Sequence, residues 1–199
     1  MNKLILTLTL IVFSICAKAQ TEKGNVYIGG SLSFNRSTTS QNGYSNEFST
    51  AYVTPTVGLF LAKNFSVGLS PQYSYSKNNT EAFTGNGLSI SKNISHLLGG
   101  GIDFRYYFAI VPKLFFFPQL SSSYLVSIGQ SNTDTKLFRT SINPNLTFFA
   151  TKKLALNFTY GALAYSYQTN KSNYTTTKFT SFDFNANQGA ALGVNYYFN

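Results

Sequence analysis

The chain has 199 residues, a formal net charge of +9, 11% charged residues, 17% aromatic residues and a single cysteine. One cysteine excludes an internal disulfide, and no run of basic residues exceeds Lys152-Lys153, so the net charge does not indicate nucleic-acid binding. One histidine and six acidic residues, scattered along the chain, offer no recognisable metal-ligand spacing. We therefore expect no cofactor.

The first twenty residues, MNKLILTLTLIVFSICAKAQ, have the pattern of a secretory signal. Lys3 provides the positive start, an apolar core follows, and Ala17-Lys18-Ala19 fits a signal-peptidase site. Two alternatives are a buried N-terminal helix and a lipoprotein modified at Cys16. We predict a cleaved signal over residues 1–19 and a single domain over residues 20–199.

Eight segments downstream alternate between apolar and polar residues, as β-strands with one apolar face do. In FSVGLSPQYSYS, over 65–76, every odd position is apolar or aromatic and every even position is small or polar. In chain order the predicted strands are 25–34, 51–62, 65–76, 97–109, 114–126, 139–150, 154–167 and 182–198.

The connections between these segments alternate in length. Those at 63–64, 110–113 and 151–153 are short, whereas 35–50, 77–96, 127–138 and 168–181 are long and rich in Asn, Ser and Thr. Short turns at one end and long loops at the other are typical of an outer-membrane barrel. The fold class predicted is all-β: an eight-stranded antiparallel up-and-down transmembrane β-barrel with short periplasmic turns and long external loops.

The composition of the two faces predicts which one points inward. One face carries Gly68, Ser70, Gly99 and similar small residues, and the other carries most of the Leu, Val, Phe and Tyr. A small barrel interior admits only closely fitted side chains, so the small face belongs inside and the apolar face meets lipid. The alternative is a soluble secreted sandwich or barrel, with its large apolar residues inside.

Four prolines lie inside the predicted strands, where a missing N–H removes a ladder hydrogen bond. They are Pro55, Pro71, Pro118 and Pro144, all with the parity of the apolar face. We predict local bulges or gaps in the ladder at these sites.

With its signal peptide, alternating segments, recurrent proline setting and C-terminal LGVNYYFN, the chain resembles the small outer-membrane β-barrel proteins of Gram-negative bacteria, a porin-like family. The resemblance implies a location in the outer membrane and insertion by the barrel assembly machinery. It also implies that Leu192, Val194, Tyr196 and Phe198 form the assembly signal of the last strand. Lysines beside the long connections predict contact with the phosphates of lipopolysaccharide.

His96 is the only histidine and therefore the test for a lipid-modifying enzyme. Asp103 lies an odd number of residues away, so the two side chains should point to opposite sides of the wall. Ser127, level with His96 on the next strand, should point inward. This register disfavours catalysis, and we predict that the protein is not an enzyme.

The inward face should carry a hydrogen-bonded polar network, because buried polar groups need partners. Arg105 and Asp103 form its expected ion pair, and Arg139 is expected to approach Asp183. The predicted network consists of Gln72, Asp103, Arg105, Gln119, Asn143, Asn145, Asn157, Asp183 and Asn195.

The leading functional hypothesis is a non-enzymatic outer-membrane barrel with a structural or surface-interaction role, its loops binding an external protein or glycan. A narrow-pore or small-ligand-binding barrel is the alternative, and a lipid-modifying enzyme is a third reading.

Overall fold

The computed structural model describes residues 21–41, 44–84, 87–129, 133–172, 174–185 and 191–198. The predicted signal at 1–19 lies outside these residues. The described chain is all-β and antiparallel, and none of its described residues forms a helix long and apolar enough to span a membrane. Its strands are β1 Val26–Gln41, β2 Tyr44–Ala62, β3 Phe65–Thr84, β4 Gly87–Tyr106, β5 Phe108–Val111, β6 Leu114–Ile128, β7 Thr133–Phe149, β8 Leu154–Thr159, β9 Ala162–Ser172, β10 Thr176–Asn185 and β11 Ala191–Phe198.

The strand pairings form a closed circuit. β1 pairs with β2 on one side and with β11 on the other, through Val26↔Phe198 to Ser31↔Gly193. From β2 the pairings continue through β3, β4, β6, β7 and β8 to β11, which returns to β1. The described residues form eleven strands where the sequence predicted eight.

Two of the three extra strand boundaries lie beside prolines, and the third, between β10 and β11, falls at residues 186–190, outside the described residues. The break between β4 and β5 falls at Tyr107, one residue past the level of Pro118 on β6, and the break between β8 and β9 falls at Tyr160–Gly161, at the level of Pro144 on β7. Proline has no N–H to donate to the neighbouring strand, so the ladder is interrupted there. Gly161 also has a positive φ of 72°, which a glycine adopts without strain.

Prolines also face one another across strand pairs. Pro118 is paired with Pro144, and the pairs Val53↔Tyr73 and Val57↔Leu69 bracket Pro55 and Pro71 at one level. The β2–β3 ladder is interrupted between those two pairs without a register shift. The prediction of a bulge or a gap is therefore met by a gap at Pro55 and Pro71. No bulge lies at these prolines, because the register shifts between described strands are at Phe60/Ala62 and Ala109/Val111.

The short connections at one end of the sheet are confirmed. β2 and β3 are joined by Lys63 and Asn64, and Asn64 has a φ of 62°, a left-handed conformation that asparagine tolerates. The Asn64 carbonyl accepts a hydrogen bond from the Tyr107 N–H at 2.8 Å, which ties this turn to the neighbouring β4–β5 break.

The long loops predicted at the other end are wrong. Most of those residues form paired strands: the β1–β2 ladder continues to Gln41↔Tyr44, and the β3–β4 ladder continues to Thr84↔Gly87. β6 and β7, and β9 and β10, likewise extend into the segments expected to be loops. These hairpins carry polar residues on both faces, so their sequence lacks the apolar alternation that identifies a strand. Their Thr, Tyr and Phe residues nevertheless favour extended structure.

One side of the sheet has unpaired edges. β10 pairs only with β9 among the described strands, and the part of β1 beyond Ser31 pairs only with β2. In both segments the described side chains are exposed on both faces.

Candidate functional site

The outward face of the sheet is apolar and exposed. Leu69 is 64% exposed, whereas its chain neighbours Gly68 and Ser70 are buried, Ser70 to 7% exposure. The same contrast recurs around the described wall, whose exposed apolar residues include Ile28, Leu32, Val57, Leu59, Ile102, Phe104, Ile142, Leu146, Phe158, Leu192 and Val194. This arrangement reverses that of a soluble barrel, which buries its large apolar residues.

The inward face is not uniformly small and polar, which corrects the sequence expectation. At the short-turn end it carries a buried cluster of rings, which we call the aromatic floor. Its members are Tyr27, Phe60, Tyr107, Phe115, Phe117, Phe149 and Tyr197, packed with Ala155. Large rings fill the interior there, while small and polar side chains line the levels above.

Ring contacts in the aromatic floor cross the whole interior. The sequence of contacts starts on β6, passes through Tyr107 between β4 and β5 and then through β2, β1, β11 and β7, and returns to β6. Centroid separations are 4.8 Å for Phe117–Tyr107, 5.4 Å for Tyr107–Phe60, 6.0 Å for Phe60–Tyr27, 5.5 Å for Tyr27–Tyr197, 5.0 Å for Tyr197–Phe149 and 5.4 Å for Phe149–Phe115. These are normal packing distances for aromatic pairs, so the floor closes the interior at this end.

The expected ion pair lies directly above the aromatic floor. The Arg105 Nε donates to Asp103 Oδ2 at 2.8 Å, and the side chains are only 6% and 1% exposed. The Arg105 guanidinium carbon lies 4.9 Å from the Tyr27 ring centroid and 5.6 Å from that of Phe117. The charge is thus buried between an aromatic face on each side and a carboxylate, and each of these contacts stabilises a cation.

Asp103 is held by a second group of contacts. The Ser70 hydroxyl donates to Asp103 Oδ1 at 3.0 Å and lies 3.2 Å from the Thr56 hydroxyl. Gly68 leaves the space that the carboxylate occupies, since a Cβ at that position would lie 2.7 Å from Asp103 Oδ1. The small residues identified in the sequence thus make room for this buried carboxylate.

A further polar group lies on the wall formed by β6, β7 and β8. The Ser141 hydroxyl donates to Asn143 Oδ1 at 2.7 Å and lies 2.9 Å from the Ser121 hydroxyl. The Asn145 side-chain amide donates to the Asn143 carbonyl at 2.9 Å, and the Thr159 hydroxyl donates to Asn145 Oδ1.

The remaining residues of the predicted network make no side-chain hydrogen bond to either of these two polar groups among the described contacts. Gln119 is paired with Asn143 across β6 and β7, and Gln72 approaches Gly101 on β4. Asp183 accepts a hydrogen bond from Ser181 at 2.9 Å, and no ion pair between Asp183 and Arg139 is found within the described chain.

Several buried polar atoms beside the aromatic floor have no hydrogen-bond partner among the described groups. The buried hydroxyls of Tyr27, Tyr107 and Tyr197 surround the Arg105 level, and Asn157 Oδ1 and Asn195 Nδ2 lie on the adjoining strands. The sequence could have indicated this ring of tyrosines, since Tyr107 and Tyr197 have the parity of the inward face.

His96 lies on the outward face, opposite in orientation to Asp103. The Tyr73 hydroxyl is 2.8 Å from His96 Nδ1, and the Tyr75 ring centroid is 5.4 Å from that of His96. Ser127 is paired with Leu97, next to His96, and points inward like Leu97. The histidine is therefore flanked by tyrosines rather than by a nucleophile or an acid. Among the described residues no group of three or more metal-ligating side chains occurs.

The predicted assembly residues Leu192, Val194, Tyr196 and Phe198 are all exposed on β11. They alternate with Gly193, Asn195 and Tyr197, which face inward.

Comparison with known proteins identifies no family. No family model matches the chain, and no curated protein matches it. Among solved structures, the chain is similar to the N-terminal β-barrel domain of Pseudomonas aeruginosa OprF, with 15% identity, coverage of 88% of this chain and 98% of that chain, and a TM-score of 0.43. It is also similar to the Ralstonia pickettii toluene transporter TbuX, with 7% identity, coverage of 91% and 90%, and a TM-score of 0.33.

Proposed function

We propose that the protein is an integral outer-membrane β-barrel whose chain crosses the bilayer eight times. The circuit of pairings supports this reading, and the prolines account for the breaks that divide β4 from β5 and β8 from β9. β9 pairs with β10, and β8 pairs with β11. We therefore treat β8 and β9 as two parts of one crossing of the wall, and β10 and β11 as two parts of the next. The count of eight passes treats each crossing as one strand.

The observation that carries the proposal is the contrast between exposed apolar and buried polar residues along single strands. In water, a wall of exposed Leu, Ile, Val and Phe would aggregate, whereas acyl chains solvate it. The buried Arg105–Asp103 pair belongs on the opposite side of that wall. The secretory signal pattern at residues 1–19 supports export to the outer membrane, and the barrel assembly machinery is the partner that the last strand would engage.

The aromatic floor supports a barrel that is closed to solutes. Rings in contact across the interior leave no polar path past the short-turn end, and small barrels fill their interiors with side chains. Catalysis has no support at His96, where tyrosines occupy the positions that a nucleophile or acid would need. The function we propose is therefore non-enzymatic.

The polar hairpins support a second part of the proposal, a binding role at the cell surface. Their two faces carry Asn, Ser and Thr with scattered exposed aromatics such as Tyr44 and Phe48, both 44% exposed. Paired strands present such side chains at fixed positions, which suits recognition of an external protein or glycan.

The test of orientation uses tryptophan reporters, because the chain has no tryptophan of its own. Leu69→Trp places the indole on the outward face, and Phe117→Trp places it in the aromatic floor. In vesicles of phosphatidylcholine brominated on its acyl chains, we expect strong quenching of the Leu69→Trp fluorescence and weak quenching of the Phe117→Trp fluorescence. Acrylamide quenching at Leu69→Trp without bromolipid quenching would instead indicate a soluble protein.

A further inference from the structure

His96 is held in a defined site on the outer wall that the proposed function does not use. The site consists of Tyr73, Tyr75 and Lys77 on β3 and His96 on β4, which we call the His96 cluster. Tyr75 is paired directly with His96, Tyr73 with Leu98 and Lys77 with Ile94. All four members of the cluster therefore lie on the outward face, on adjacent rungs of a single pair of strands.

The hydrogen bond between the Tyr73 hydroxyl and His96 Nδ1 orients the imidazole. When the Tyr73 hydroxyl donates to Nδ1, the neutral ring carries its proton on Nε2, and a doubly protonated ring also has a proton there. The Tyr75 ring, at 5.4 Å, and the Tyr73 ring, at 6.1 Å, flank the imidazole. In that arrangement Nε2–H is the donor that the His96 ring offers to a ligand.

The cluster lies where the outward face of β3 changes from apolar to polar residues, while that of β4 continues with the exposed Ile94 and Ile90. Leu69 and Leu98 belong to the exposed apolar face, and beyond Tyr75 the outward positions of β3 become Lys77 and Asn79. Tyrosine and lysine at this level are typical of the boundary between acyl chains and headgroups.

The charges around the cluster favour an anion. Lys77 lies diagonally across the strand pair from His96, a separation that a long side chain spans. Of the carboxylates on the outward side of β2 and β3, Glu47 is bound by Arg36 at 3.1 Å, and Glu81 lies four residues beyond Lys77. Among the described residues, no carboxylate therefore lies at the level of the Lys77 ammonium group.

We propose that the His96 cluster binds the phosphate of a membrane lipid headgroup, with Lys77 and His96 Nε2–H as the donors and Tyr75 beside them. The proposal rests on the proposed membrane location, since the ligand reaches the cluster from the bilayer. Lysine supplies charge and the fixed imidazole supplies direction, so both are needed for recognition beyond general attraction to anionic lipid.

The test places a tryptophan at Leu98, the partner of Tyr73 on the same outward face. The mature chain carrying Leu98→Trp is folded into phosphatidylcholine vesicles in which one lipid in ten is brominated, either phosphatidic acid or phosphatidylcholine. We expect phosphatidic acid to be enriched at the reporter by about fivefold, the preference expected for one lysine near a phosphate. Lys77→Ala and His96→Ala should each reduce the enrichment, and together they should abolish it.

Lys171→Ala is the matched control, because it removes the same charge from β9, on a different part of the wall. If Lys171→Ala lowers the enrichment as much as Lys77→Ala does, general electrostatic attraction explains the result and the site is refuted. Loss of the enrichment on adding millimolar inorganic phosphate would assign the site to free phosphate and overturn its assignment to lipid.

The two proposals fail in different ways. Absence of quenching by brominated phosphatidylcholine itself would show that Leu98→Trp is not in contact with lipid, and the membrane location would be wrong. Quenching by brominated phosphatidylcholine without any excess from phosphatidic acid would refute the His96 cluster alone.

Discussion

Removing the Arg105 guanidinium should destabilise the folded chain far more than removing any arginine on its surface. Arg105 is 6% exposed and Asp103 is 1% exposed, so Arg105→Ala leaves a carboxylate buried without its counter-ion. Breaking a buried pair in this way costs about 3–5 kcal/mol. The lost contact of the guanidinium with the Tyr27 ring adds to the same loss.

The matched control is Arg36→Ala. Arg36 and Glu47 form an ion pair 3.1 Å long, but their side chains are 59% and 29% exposed. Removal of this pair should cost about 0–1 kcal/mol because solvent screens it. The measurement is urea unfolding of vesicle-inserted protein, with the folded fraction read from gel mobility without boiling.

A double substitution separates the charge from the space it fills. Asp103→Asn with Arg105→Gln removes both charges and keeps polar groups near Ser70, so it should be more stable than Arg105→Ala. Equal losses for Arg105→Ala and Arg36→Ala, or no recovery in the double variant, would refute the reasoning that burial of this pair controls stability.

Three further predictions test the interior and the open edges. Gly58→Ala should destabilise the barrel because its Cβ would lie 2.1 Å from the Tyr27 ring, whereas Gly100→Ala, whose nearest atom is 3.7 Å away, should be tolerated in the same urea titration. The wild-type protein should show no single-channel steps in a planar bilayer, and Phe60→Ala with Phe117→Ala should produce them; unchanged silence in a folded double variant would contradict the closure assigned to the aromatic floor. Amide hydrogen exchange should be faster in residues 32–41 of β1 and in β10 than in residues 73–78 of β3, which pair with a strand on each side, and equal protection would show that the edges pair in solution.

The sequence predicted the architecture where one face of a strand meets a different environment from the other. The alternation in 65–76 reappears as exposed Leu69 beside buried Ser70, and the parity of Asp103, Arg105 and His96 correctly predicts on which side of the wall each lies. The hairpins beyond the apolar wall were missed because both of their faces are polar. A search for alternating apolar and polar residues finds no signal there. The backbone hydrogen bonds of a β-ladder form without such alternation.

The aromatic floor shows why face composition alone predicts an interior poorly. Tyr107 and Tyr197 have inward parity, but the average character of the inward face concealed where along the barrel its large residues lie. Their positions all fall within a few residues of the short turns or of the first and last strand ends, so they gather at one level. Closure at one end follows from register combined with parity, and it places the buried Arg105–Asp103 pair directly above the aromatic floor.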